Sequence, residues 1–360
     1  MQTTLARRQR HRRALQRSPG GRGGSTIGRI VLVVLMVILV TGGLVAAGGV
    51  VFAVGAYNYY SAGLPDPVAA LTNIPFEQQT VIYDRTGKIE LARLGDLKRE
   101  LVTYDELPGE IIDATTAIED KDFWINPGFD PVGIVSAGLD TVSGRPRGAS
   151  TITQQLVRAR LLPPEAFNGS LYERKIREII QSIRLTQAFP GEAGKEQIIT
   201  AYLNQNFYGN QSYGVKAAAK GYFGKTLDQL TLAQDAILAA IPQSPTSYDL
   251  IRNADEICLD KNIAEGQECT NFQLVVPQDS EIVQRRNKVL DLMETRSPLT
   301  GNKHTKAEYE AAKSEPVVLV PQVSTAWKAP QFVWQVRREL GDSADDGVPE
   351  YLALVVPATQ

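Results

Sequence analysis

Acidic residues are absent from the first 29 positions, which carry eight arginines, at positions 7, 8, 10, 12, 13, 17, 22 and 29. Charge of either sign is then absent from the 28 residues Ile30–Tyr57. An apolar run longer than roughly 20 residues can cross a bilayer as a helix. A cleaved signal peptide has a shorter apolar core, of about 7–15 residues. We therefore predict an uncleaved transmembrane helix over 30–57.

The basic flank sets the expected orientation, because arginine-rich segments beside a membrane span stay on the cytoplasmic side. The chain after the span is then extracytoplasmic. Nucleic acid is not expected as a partner, since a basic tail next to a membrane already has the lipid headgroups to contact. Beyond the tail, 30 Lys and Arg stand against 40 Asp and Glu. This acidic balance argues against general polyanion binding, so anion recognition must be local.

Cysteine is also scarce. Cys258 and Cys269 are the only two, eleven positions apart, and no histidine lies near them in the sequence. Such a pair makes a poor zinc site. Outside the cytoplasm a disulfide bond between them is expected, with two free thiols as the alternative.

Near the middle of the chain, a helix-like segment carries polar residues where a core helix would be apolar. Gln154, Gln155 and Arg158 share one face, because residues three and four apart are neighbours on a helix. Ser150 and Thr151 stand where an N-cap hydroxyl belongs. A second helix-like segment follows a loop rich in turn-forming residues, and it is polar on one side in the same way.

In that second segment, Arg174, Lys175 and Glu178 lie on a common face. Taken alone, this pattern is typical of a solvated helix face with ion pairs four residues apart. Beside the preceding segment, it indicates a local cluster of cations.

A pair of carboxylates, Glu119 and Asp120, closes a predicted helix over 110–122 and is followed by Phe123 and Trp124. We expect Glu119 to lie at a cleft wall beside this aromatic surface, a setting that favours a general base. An exposed acidic helix end is the alternative.

These motifs occur in a familiar order. The segments EDKDFW, GASTITQQLVR and RKIRE, followed by motifs over 195–225 and 230–248, resemble the peptidoglycan glycosyltransferase domain, glycosyltransferase family 51. This domain is found in class A penicillin-binding proteins and monofunctional glycosyltransferases. The chain departs from the family pattern at Asn126, Ala159, Thr200 and Gln234, where His, Asn, Glu and Glu are usual. Arg158 stands where Lys is usual.

The resemblance implies a mainly α, lysozyme-like domain that polymerises lipid II into glycan strands with release of undecaprenyl diphosphate. Glu119 is the expected base, and Arg158, Arg174 and Lys175 are expected to hold the diphosphate. Glu178 is expected to position this cluster or to share a divalent metal, Mg²⁺ or Mn²⁺, with the diphosphate. The expected substrate-binding residues are Asp120, Phe123, Ser150, Thr151, Gln154, Gln155, Arg158, Arg174, Lys175 and Asn204.

The expected partners are lipid II, the growing glycan strand, the bacterial cytoplasmic membrane and other cell-wall synthesis proteins. The predicted organisation is a tail (1–29), the span (30–57), a linker (58–75), the glycosyltransferase domain (76–250), an insertion with the cysteines (251–282) and a C-terminal segment (283–360). A hairpin is expected within 80–101. Neither Ser-x-x-Lys nor Lys-Thr-Gly occurs, so no transpeptidase is expected in these residues.

Two other functions compete. A catalytically weak scaffold of cell-wall assembly is suggested by the four departures from the family pattern. A lytic transglycosylase or muramidase would share the lysozyme-like fold and need a carboxylic acid to protonate a sugar leaving group, but it has no use for the cation cluster.

Overall fold

The computed structural model describes residues 23–76, 79–94, 98–134, 136, 150–260, 269, 271–301, 303–322 and 328–341. Most of the predicted basic tail, Gly148 and Ala149 of the central motif, and the last 19 residues lie outside this range. The chain divides into two compact units, Met1–Ala62 and Gly63–Gln360. The boundary falls inside the predicted linker.

In its described residues, the first unit is one helix, α1 (Gly23–Ser61). Its apolar part, Ile30–Ser61, is 32 residues long and has no buried side chains in the window of highest hydropathy. By length and composition it can cross a membrane. The helix continues beyond the predicted span to Ser61 and ends before Gly63, which has a φ of 78°. The prediction of a single N-terminal apolar helix is confirmed.

The second unit is mainly helical, as predicted. Its helices, within the described residues, are α2 (Pro67–Thr72), α3 (Gly109–Glu119), α4 (Ile152–Leu156), α5 (Leu171–Ala188), α6 (Gly191–Gln205), α7 (Val215–Phe223), α8 (Leu232–Ala240), α9 (Glu281–Met293), α10 (Lys306–Ser314) and α11 (Pro330–Gly341). Short 3₁₀ turns lie at Tyr104–Glu106, Pro164–Phe167, Leu227–Gln229 and Ile241–Gln243.

Seven short strands accompany the helices in the described residues. They are β1 (Thr80–Tyr83), β2 (Glu90–Leu94), β3 (Lys98–Arg99), β4 (Ser212–Tyr213), β5 (Asp255–Cys258), β6 (Phe272–Val276) and β7 (Val317–Leu319). Strands β1 and β2 form the predicted antiparallel hairpin. Strand β3 pairs with β4 in parallel, and β6 lies between β5 and β7 in an antiparallel sheet.

The core forms where apolar side chains at helical spacing meet. Helix α3 packs against α8 and α9, and α4 packs against α5 and α6. Ile111 and Ile112 of α3, Ile237 of α8 and Leu290 of α9 are at most 1% exposed. Burial of each such side chain contributes about 1.5–3 kcal/mol. A hydrogen bond from the Ile152 amide to Asp120, the residue after α3, joins the C-terminal end of α3 to the start of α4.

Helix α4 starts at a capping box. The Thr151 hydroxyl accepts from the Gln154 amide at 3.2 Å, and the Gln154 side chain accepts from the Thr151 amide at 3.1 Å. After Leu156 the chain widens into a π-helical turn, Val157–Leu161. The extra residue in this turn rotates Arg158 relative to the α-helical face that the spacing predicted.

The segment predicted as a surface insertion, 251–282, contains two strands of a sheet. Cys258, at the end of β5, is joined to Cys269 by a disulfide bond. Strand β5 is exposed, but the following strand β6 pairs with β7 and buries Val276 completely. Residues 261–268, which connect the cysteines, lie outside the described range.

The buried guanidinium of Arg286 yields a test of the packing of α9. It is fully buried and donates to the carbonyl oxygens of Glu315 at 2.8 Å and Lys313 at 2.5 Å. Arg286→Met removes the side-chain donor of the Lys313 carbonyl, at a cost of about 1–3 kcal/mol, whereas the Glu315 carbonyl keeps the Gln278 side chain as a donor at 3.2 Å. For this variant in detergent, we expect unfolding at a lower concentration of guanidinium chloride. Lys288→Met, at an exposed position of the same helix, should unfold like the wild type. Equal midpoints for the two variants would contradict this account.

Candidate active site

Glu119 is the last residue of α3, and its side chain is 13% exposed. One carboxylate oxygen, Oε2, accepts from the Gln155 side-chain amide at 2.9 Å. The other, Oε1, accepts from Nη2 of Arg285 at 3.0 Å. We expected an aromatic cleft wall, but the contacts of this carboxylate are with an amide and a guanidinium. The neighbouring Phe123 is directed into the core, at 0% exposure.

The side-chain amide of Gln155 is itself oriented by a hydrogen bond at its oxygen atom. The Tyr202 hydroxyl donates to Gln155 Oε1 at 3.1 Å. Burial raises the pKa of Tyr202 well above its usual value, and the Glu119 charge adds to the rise, so the phenol remains a donor. A donor at Oε1 fixes the orientation of the amide and directs its NH₂ group at Glu119.

The predicted cations gather around Glu178. Lys175 Nζ lies 3.2 Å from Glu178 Oε2, 2.8 Å from the Ser150 hydroxyl and 3.3 Å from Gln154 Oε1. Arg174 Nε lies 3.6 Å from Glu178 Oε1. The Glu178 side chain is 2% exposed, whereas those of Arg174 and Lys175 are 30% and 35% exposed. The carboxylate is therefore the buried support of cations that reach solvent.

The three cations influence one another electrostatically. Burial lowers the pKa of Lys175, the Glu178 carboxylate opposes this, and the charges of Arg158 and Arg174 lower it further. Arg158 is exposed, beyond the end of α4. Three cations against one carboxylate leave a positive surface, which would favour an anionic ligand.

A buried polar network around Asp120, the residue after Glu119, joins the loop after α3, the start of α4 and helix α6. Asp120, 8% exposed, accepts from Nδ2 of Asn126 at 2.9 and 3.0 Å and from the Ile152 amide at 3.1 Å. Lys195 Nζ donates to Asn126 O at 2.9 Å and Oδ1 at 3.1 Å, and lies 4.8 Å from the centre of the Phe123 ring. Asn126, which departs from the family pattern, thus orders this loop through hydrogen bonds alone.

Two groups in this network have shifted pKa values. Burial raises the pKa of Asp120 to about 6, although the bonds from Asn126 and Ile152 and the charge of Lys195 oppose the rise. Burial lowers the pKa of Lys195 to about 8, and the Asp120 charge opposes that change. Each group thus limits the shift of the other.

Gly128 allows the same loop to approach α5 closely. Its φ is 95°, a conformation that side chains other than glycine rarely adopt. A Cβ atom at this position would lie 2.4 Å from the Ser182 carbonyl oxygen and 2.7 Å from the Thr186 hydroxyl. The Gly128 carbonyl in turn accepts from the Thr151 hydroxyl at 2.8 Å. Glycine is therefore required where the loop meets both helices.

The predicted site residues divide into an exposed and a buried set. Those with solvent-accessible side chains are Glu119, Ser150, Gln155, Arg158, Arg174 and Lys175; those that are buried are Asp120, Phe123, Thr151, Gln154, Glu178 and Asn204. Asn204 lies apart from the cluster, since its amide donates to Val102 O and accepts from Val102 N, both at 2.9 Å. It braces the backbone, contrary to our expectation of a substrate contact.

Three residues in contact with the site were not predicted. Arg285 pairs with Glu119, Tyr202 orients Gln155, and Lys195 completes the buried network. Tyr202 and Lys195 belong to the motif over 195–225. Arg285 lies outside the motifs, in a basic pair with Arg286, 166 residues after Glu119.

The described residues do not fit a metal held by the protein alone. Glu178 offers a single carboxylate already paired with two cations, and no group of three His, Cys, Asp or Glu side chains surrounds it in the described range. Divalent cations such as Mg²⁺ need several oxygen ligands. The one such group found, Cys258, Asp260 and Cys269, has both sulfurs in the disulfide bond.

The raised pKa of Asp120 predicts a pH effect on stability. A carboxyl that holds its proton more tightly when folded loses native-state stability as pH rises from its ordinary pKa of 3.8 through its folded-state pKa of about 6. Over that window, we expect the unfolding free energy of the wild type to fall by on the order of 2–3 kcal/mol more than that of Asp120→Asn. Denaturant titrations of both proteins between pH 4 and 7 test this, and parallel curves would contradict it.

Comparison with known proteins places these motifs in a family. The profile of the transglycosylase family matches residues 87–266. Penicillin-binding protein 1A of Escherichia coli (strain K12) is 34% identical over 307 residues, covering 83% of this chain and 32% of that protein. The protein of the same name from Rickettsia felis is 40% identical over 200 residues, covering 54% and 24%.

Among solved structures, penicillin-binding protein 1A from Haemophilus influenzae aligns with a TM-score of 0.35 and 23% identity, over 76% of this chain and 26% of that one. The chain therefore spans a third or less of the length of these relatives. The family profile covers half of its residues, so the chain belongs to the transglycosylase family, the peptidoglycan glycosyltransferases of glycosyltransferase family 51.

Proposed function

We propose that the chain polymerises lipid II, a disaccharide-peptide on an undecaprenyl diphosphate carrier, into glycan strands. One observation carries the proposal. Gln155 donates to Glu119, and its neighbour Gln154 accepts from Lys175. A half-buried carboxylate and a cluster of cations therefore flank the same helical turn, the arrangement that a base and a diphosphate site require.

In the proposed reaction, Glu119 accepts the proton of the acceptor sugar's 4-hydroxyl as that oxygen attacks the anomeric carbon of the donor. The bond from the anomeric carbon to the diphosphate breaks, its electron pair leaves with the phosphate oxygen, and the configuration inverts. Diphosphate is already a stable anion, so its departure needs little protonation. One general base is then sufficient.

The exposed cations are suited to the departing diphosphate. Arg174 and Lys175 hold fixed positions above Glu178, and Arg158 adds a third charge at the edge. Cations already in place stabilise negative charge as it develops, with no cost of reorganisation during the reaction. The planar guanidinium groups also match phosphate oxygens in pairs.

The buried residues of the site are proposed as supports and not as substrate contacts. Asp120 fixes the backbone next to Glu119, and Thr151 and Gln154 fix the start of α4. Glu178 orients the cations. We derive no step through a divalent metal, because the described residues do not supply its ligands.

The proposal extends to the membrane. With the basic tail in the cytoplasm, α1 would cross the bilayer and keep the catalytic unit at the extracytoplasmic surface, where a lipid-linked substrate remains. Because the catalytic unit would lie at this membrane surface, we also propose other cell-wall synthesis proteins as partners.

The role of Glu119 is tested with full-length protein and fluorescent lipid II in detergent. Glu119→Gln keeps the shape of the side chain but removes the base, and we expect polymerisation to slow by about 10²–10⁴-fold. The matched control is Glu110→Gln at the opposite end of α3, paired with His304 at 3.1 Å, which should polymerise normally. Equal rates for the wild type and Glu119→Gln would remove Glu119 from its role. A folded but inactive wild type would favour the scaffold.

The cation cluster is tested in the same assay. Removing one prepositioned charge from the diphosphate site should reduce kcat by about 10²–10³-fold in Lys175→Gln. The control is Lys216→Gln, a surface lysine that pairs with Glu106 at 2.7 Å. A similar kcat for both variants would show that the charge of Lys175 is not used in the reaction.

A further inference from the structure

We infer that Arg285 is a positioning residue for the candidate base: it holds the Glu119 carboxylate in a fixed orientation. This inference rests on the proposed function, because it takes Glu119 as the base. Arg285 comes from α9, 166 residues along the chain from its partner.

The Arg285 side chain is held at two ends. Its Nε donates to the carbonyl oxygen of Ala240 at 3.0 Å, and its Nη2 donates to Glu119 Oε1 at 3.0 Å. Ala240 is the last residue of α8, so its carbonyl lacks a partner within that helix and lies at the negative end of the helix dipole. A guanidinium is favoured there on both grounds. The C-terminal end of α8 thus directs the Arg285 guanidinium at Glu119, the last residue of α3.

The pair is sheltered from solvent. The Arg285 and Glu119 side chains are 14% and 13% exposed, so water screens their attraction less than it would at an exposed ion pair. The second oxygen of Glu119 is bound by Gln155. Two donors on opposite oxygens fix the plane of the carboxylate. Each oxygen accepts more than one hydrogen bond, which leaves room for a substrate hydroxyl.

Other groups near Glu119 do not replace this charge. On α6 and the loop after it, Tyr202 and Tyr208 are neutral because burial raises the pKa of each. Beyond the end of α9, Arg296 is directed at the carbonyl of Ala117 at 3.5 Å. Asp120, the adjacent residue on the chain, faces Asn126 and the Ile152 amide. Among the described residues, Arg285 is the cation in an ion pair with Glu119.

Without Arg285, Glu119 Oε1 loses its donor and the carboxylate is no longer held from both oxygens. It should then leave the orientation in which it can accept the proton of a substrate hydroxyl. Substrate binding, which depends on the separate cation cluster, should change little. The inference therefore predicts a loss in kcat with little change in KM.

The test compares full-length wild type with Arg285→Gln, Arg285→Lys and Lys288→Gln in detergent. Lys288 is exposed on the same helix, so its variant controls for the lost charge. For Arg285→Gln we expect kcat to fall by about tenfold or more, with KM little changed. Arg285→Lys should recover part of the loss in kcat, because a lysine supplies the charge without the paired geometry. Thermal unfolding verifies that each variant is folded.

Recovery in Arg285→Lys separates this role from a purely structural one. An equal loss of kcat in Arg285→Gln and Arg285→Lys, with both proteins folded, would overturn the inference, as would a change confined to KM. Identical behaviour of Arg285→Gln and Lys288→Gln would also overturn it. If the wild type makes no glycan, the proposed function fails. If the wild type makes glycan and Arg285→Gln makes it at the same rate, the inference alone fails.

Discussion

The buried carboxylate of Asp120 is the contact on which the candidate site depends. It joins the loop after α3 to the first amide of α4, and Lys195 from α6 closes the network through Asn126. A carboxylate in such a place is tolerated only when its donors are present. The three segments are therefore stable in this arrangement only together. Because Glu119 is the adjacent residue, the same bonds fix the backbone that carries it.

Two neutral amides separate the opposite charges of the site. Gln154 contacts Lys175 and Gln155 contacts Glu119, so the carboxylate does not pair directly with the cations that would bind a diphosphate. Instead, the cations pair with Glu178 and the carboxylate pairs with Arg285.

Local features of the site were predictable from the sequence, and burial was not. The apolar α1, the β1–β2 hairpin and the cap at Thr151 are each determined by residues close together in the chain. The π-turn after Leu156 depends on how α4 packs, and spacing alone gave no sign of it. Sequence could not distinguish Phe123 and Asn204, which are enclosed by the core, from Lys175, which reaches solvent. Arg285 was missed because its contact with Glu119 spans 166 residues.

That long separation has a consequence for how the protein is made. Synthesis proceeds from the N-terminus, so Glu119, Gln155 and Lys175 all leave the ribosome before α9 does. Until α9 docks against α3 and α8, the carboxylate lacks its cation and the end of α8 lacks its donor. A nascent chain can thus form its local helices early, while Glu119 gains its ion pair only after α9 has been synthesised and has docked.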